Sequence, residues 1–149
     1  METRAVHQAV SHWLSRLGYA SARATTRRDS LRTWGSDAEW FVVLRGDLKN
    51  SFDYIRKFDD AIDAVISRGR AATNLPVKLG VAVAFSSTLR GDVLSYRKAL
   101  KKYTNSILFT DLDIHMFFVH DDLSIKLLEP DEVNEFIREL NRYIITARP

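Results

Sequence analysis

Asp29, Arg45 and Asp47 are the residues of this chain whose types and spacing come nearest to a metal-assisted attack on a phosphate. Carboxylate oxygens are hard ligands of the kind Mg²⁺ takes. A metal held between two of them acidifies a bound water and stabilises the charge that builds on a phosphoryl group. Arg45 keeps its charge at any working pH, so it can grip a phosphate but cannot act as a base. Asp47 shares strand parity with Val43 and Arg45 but follows Gly46, beyond the expected strand. Each residue also has a plainer role. Asp29 fits a turn in Arg27-Arg28-Asp29-Ser30, and Arg45 fits a surface ion pair with Asp47.

The elements that must position these groups follow from the apolar pattern. Val6, Ala9, Val10, Trp13, Leu14 and Leu17 recur at spacings of three and four, which predicts a helix over 3–17. Thr3 can cap its start, and Gly18 suits a left-handed stop. Strands are expected over 19–26, 30–34 and 39–45, the last rich in aromatic and β-branched residues. A helix over 52–67, capped by Asn50 or Ser51, turns Phe52, Ile55, Phe58, Ile62, Val65 and Ile66 inward. The run Val77–Phe85, VKLGVAVAF, reads as a central strand covered on both faces. A helix over 89–104 follows, with Val93, Tyr96, Leu100 and Tyr103 inward. Strands over 112–120 and 123–128 flank a turn at Asp121-Asp122. Asp131 caps a last helix that buries Val133, Phe136, Ile137, Leu140, Tyr143 and Ile144. Hairpins followed by helical crossovers imply a mixed sheet with helices on both faces.

The stretch DSLRTWGSDAEWFVVLRGDLKN, Asp29 to Asn50, resembles the core of the PD-(D/E)xK nuclease superfamily. In that core an Asp on one strand and a Glu-x-Lys on the next hold Mg²⁺ and the attacking water. VAVAFSS with the helical YRKALKKY resembles the fourth core strand and its helix, and LDIHMFFVHDDLSIKLLEP the closing hairpin. The resemblance implies a single domain over 1–149 with an α/β, restriction endonuclease-like mixed sheet flanked by helices, order α-βββ-α-β-α-ββ-α. It places Asp29 at the metal-binding acid. Val43 stands where the second acid belongs and Arg45 where the Lys belongs, so the motif is degenerate. The expectation is a nuclease-like domain with a lost or remodelled metal site and no cofactor, serving as a nucleic-acid-associated or partner-binding module. An active Mg²⁺-dependent nuclease remains the alternative, with Asp29 as the metal ligand and a carboxylate migrated from elsewhere. The third is a protein-interacting or homodimeric module without nucleic acid.

Several acids can be weighed as replacements for Val43. Glu39 shares its strand face but lies about 13 Å away along the strand. Asp47 shares the parity and is closer. Asp37 reads as the turn before the strand, as an alternative to Asp29. Asp59, Asp60 and Asp63 lie on the next helix and read as a solvated face, and Glu2 precedes the first helix. His7, His12, His115 and His120 show no metal-ligand spacing, and no phosphate-cradling glycine loop is present.

The net charge is only +3, but Arg68 to Lys102 holds eight basic residues against Asp92, and Tyr103 onward holds nine acidic against four basic. On the expected helix, Arg90, Arg97 and Lys101 line one stripe and Lys98 and Lys102 its neighbour. Such a row can track a phosphate backbone, with salt-dependent affinity. Trp34 and Trp40 can stack on bases or belong to the core. The absence of cysteine excludes disulfides and thiolate zinc sites. No apolar run approaches the roughly 20 residues that span a bilayer, and the amphipathic N-terminus is unlike a signal peptide. A cytoplasmic protein without membrane contact is expected.

Overall fold

The computed structural model describes residues 2–21, 29–36, 38–46, 51–68, 76–85, 99, 100, 103, 108–136 and 138, with only the backbone at 51–55 and 68. Among the described residues six strands form one sheet in chain order: β1 (Ala20–Ser21), β2 (Ser30–Trp34), β3 (Glu39–Arg45), β4 (Val77–Ala84), β5 (Ile114–Val119) and β6 (Ile125–Leu128). β1, β2 and β3 pair antiparallel, β3, β4 and β5 parallel, and β6 returns antiparallel to β5. Among the described residues the helices are α1 (Thr3–Arg16), α2 (Ser51–Arg68), α3 (Leu108–Asp111) and α4 (130–136), and Ala99 and Leu100 are also helical.

The period-two pattern of β3 separates two cores. Trp40, Val42 and Leu44 join Val6, Val10 and Leu14 of α1. Phe41 and Val43 face the other way, onto Phe58, Ala61, Ile62 and Val65 of α2. Leu79, Val81 and Val83 of β4 join that second core, as do Leu100, Tyr103 and Val133. The central strand covered on both faces is therefore as expected. The chain is α/β, with a mixed sheet between helices.

α1 ends one residue earlier than its apolar stripe suggests, because Leu17 is exposed. Gly18 takes φ +93° and donates to Ser15 O, while Tyr19 N donates to Leu14 O, the paired bonds of a left-handed stop. Thr3 does not cap the helix. The cap position is Glu2, and the Thr3 hydroxyl instead accepts from Gly46 N at 3.1 Å. α4 likewise starts from Glu129 rather than Asp131. Glu132 reaches back to Glu129 N at 3.1 Å, and Pro130 takes the first helical position.

Two further boundaries and one inward position differ from the periodicity. α3 interrupts the approach to β5, which starts at Ile114 rather than 112. β6 starts at Ile125, since Leu123 belongs to the turn with φ 68° and is 54% exposed. Ile66 of α2 is exposed rather than inward. Of the helix expected over 89–104, only Ala99, Leu100 and Tyr103 are described, and Leu100 and Tyr103 are buried as expected. Val93 and Tyr96, the strand residues 22–26, and Leu140, Tyr143 and Ile144 lie outside the described residues, as do the side chains of Phe52, Ile55 and Ile137.

Gly80 lets two strands' side chains meet across β4. A Cβ built there would stand 2.7 Å from Phe117 Cε2 and 3.3 Å from Val42 Cγ2. Phe117 cannot swing away easily, because it is fully buried with Trp13 and Trp40 edge-on at 5.6 and 5.3 Å. Gly80→Ala is expected to cost about 2 kcal/mol through overpacking. Urea denaturation of the variant measures it, and an unchanged midpoint refutes the tight approach.

Candidate functional site at the end of β3

The hairpin register decides which candidate residues can meet. Ser30, not Asp29, lies opposite Val43. Asp29 sits one step further, with its carbonyl accepting from Leu44 N at 2.8 Å. By parity Asp29 belongs with Leu31 on the α1 side, whereas Val43 and Arg45 belong with Phe41 on the α2 side. Arg45 nevertheless reaches Asp29 around the strand end. Its Nη1 stands 3.8 Å from Asp29 Oδ2, donates to Leu44 O at 2.9 Å and lies 3.5 Å from Asp29 O. The guanidinium is 15% exposed and the carboxylate 49%. Arg45 thus forms an ion pair with Asp29; Asp47, the partner expected from the sequence, lies outside the described residues.

Val43 is fully buried within the α2-side core. An acid at this position would face Phe58 and Ile62 rather than a cleft. Two contacts at the same strand end carry no signal in a motif scan. Thr3 holds Gly46 N, which brings the start of α1 to the end of β3, and Lys57 Nζ lies 3.5 Å from Gly46 O. Both residues are remote in sequence and common in type.

Two of the replacement acids, Glu39 and Asp59, are engaged elsewhere. Glu39 is almost fully buried and accepts from Arg32 Nη1 at 2.6 Å. Arg32 lies on the same face of the hairpin, and its guanidinium also stacks on Phe41, 4.4 Å from the ring centre. The register of a short hairpin would have revealed this diagonal pair. Asp59 is not simply solvated, because its Oδ1 accepts from the Tyr103 hydroxyl at 2.9 Å. Burial, together with this bond and the charges of Asp59 and Asp63, holds the Tyr103 phenol ionisation well above its usual range. Asp60 and Asp63 are exposed, as expected, and so is Glu2. Asp37 lies outside the described residues.

The residues present do not fit a Mg²⁺ site at the Asp29–Val43 position. One expected ligand is an aliphatic core residue, and the other is paired with a guanidinium. Among the described residues no three His, Asp or Glu side chains converge to hold a metal ion. Trp40 is buried among Trp13, Tyr19, His115 and Phe117 and belongs to the core, whereas Trp34 is half-buried. The basic row of Arg90, Arg97, Lys98, Lys101 and Lys102 lies wholly outside the described residues. Among the described residues, Asp121 and Asp122 of the β5–β6 turn and Glu129, Asp131, Glu132 and Glu135 around α4 are all exposed.

Two histidines make stability depend on pH. Burial lowers His7 below the usual imidazole value. Burial also lowers His115, assisted by Lys78 and opposed by bonds from its Nδ1 to Leu79 O and Asp113 O, each 3.1 Å. The unfolded chain binds protons at these rings near pH 6.5, before the folded chain does. Their contribution is therefore complete above about pH 7 and falls as pH drops through about 6.5 toward the lower folded values. Denaturation midpoints at pH 7.5 and 5.5 test this, and His115→Gln should reduce the difference. A midpoint that rises on acidification contradicts it.

No described helix is long and apolar enough to cross a membrane. No protein-family model, curated protein or solved structure matches the chain.

Proposed function

We propose that this chain is a nuclease-like domain of restriction endonuclease-like fold whose metal position has been remodelled into an internal ion pair, and that it serves as a nucleic-acid-associated module. The observation that carries this reading is the pairing of Arg45 with Asp29 beside a fully buried Val43. A guanidinium supplies at Asp29 the positive charge that a divalent cation would otherwise bring. Unlike a metal it has no open coordination position at which to activate water. The mixed sheet in chain order, with α1 on one face and α2 on the other, supports the fold half of the proposal. The basic stretch from Arg90 to Lys102 supports the polyanion half.

The test combines cleavage and binding. Purified protein with Mg²⁺ or Mn²⁺ should leave DNA and RNA intact. It should bind them with an affinity that falls as salt rises, and Arg97→Ala with Lys101→Ala should flatten the log–log salt slope by about two if each residue neutralises one phosphate. Binding that ignores both salt and these substitutions rejects the nucleic-acid role. Cleavage that disappears in Asp29→Ala rejects the remodelled site.

One contact favours the second reading, a Mg²⁺-dependent nuclease with a migrated carboxylate. The Thr3–Gly46 bond places Glu2, at the cap of α1, near the end of β3. Loss of metal-dependent cleavage in both Glu2→Gln and Asp29→Ala would establish that reading. Absence of any nucleic-acid binding, with self-association in sedimentation, would favour a protein-interacting or homodimeric module.

A further inference from the structure

We draw no further inference here: the strongest candidate, the exposed acidic side chains of the β5–β6 turn beside the exposed Leu123, carries nothing because nothing in the structure shows what covers this surface patch.

Discussion

Val43→Glu is expected to destabilise the protein by about 4 kcal/mol, since it puts a carboxylate without a partner into a filled apolar core. Val43 is 0% exposed and shares its core with Phe58, Ala61 and Ile62 of α2 and Val81 and Val83 of β4. The carboxyl must either stay protonated or push α2 from the sheet. For a chain of this size the loss corresponds to a fall in Tm of about 10 °C or more. Adding Mn²⁺ should not recover it, and Val43→Glu with Arg45→Lys should still not cut nucleic acid. The opposite result is equally informative. A variant that melts with the parent and gains stability from Mn²⁺ would mean that position 43 faces a cleft and that a metal cradle survives around Asp29.

Glu39→Ala should cost about 3 kcal/mol, because it strips a carboxylate from Arg32 where the guanidinium is mostly covered. The pair is short at 2.6 Å, Glu39 is 3% exposed at its side chain and Arg32 16%. Removing one member of a buried pair is far costlier than removing both. Arg32→Met with Glu39→Leu should therefore recover most of the loss, held by Phe41 and the surrounding sheet. Denaturant midpoints of the single and double variants decide the matter. Additive losses would mean that the two side chains act independently.

How far the sequence could be followed depended on which interactions leave a periodic trace. The stripe of Val6, Val10 and Leu14 and the run Leu79–Val83 are repeated choices along one element, so a helix packed on one face and a central strand covered on both could be read directly, whereas WFVV of β3 is apolar throughout and its two faces show only in the structure. Single polar contacts leave no such trace. Thr3 looked like a helix cap because its type suits one, but its hydroxyl serves Gly46, 43 residues away. Asp131 likewise suits a cap, yet Glu129, Pro130 and Glu132 together outcompete it. Leu123 extended an apolar strand pattern, whereas the turn is set by Asp122, whose carboxylate accepts from both Ser124 N and Ser124 Oγ. At the candidate site the substitution of Val for an acid was visible in the letters. The reason it matters was not, because only the register shows Asp29 opposite Leu44 and Arg45 reaching round to it.

The strand order also has a consequence for how the chain is made. Because spatial order equals chain order among the described strands, each of them docks on the one synthesised just before it, and none inserts between two earlier ones. As the chain emerges from a ribosome, α1 and the β1–β2–β3 meander can form before β4 exists, leaving the α2 side of β3 to be closed by the next helix. The two parallel steps, β3 to β4 and β4 to β5, each wait for a helical crossover and are the slow joints of this growth. β6 follows on the edge that β5 offers, so the described sheet elongates edge by edge in the direction of translation.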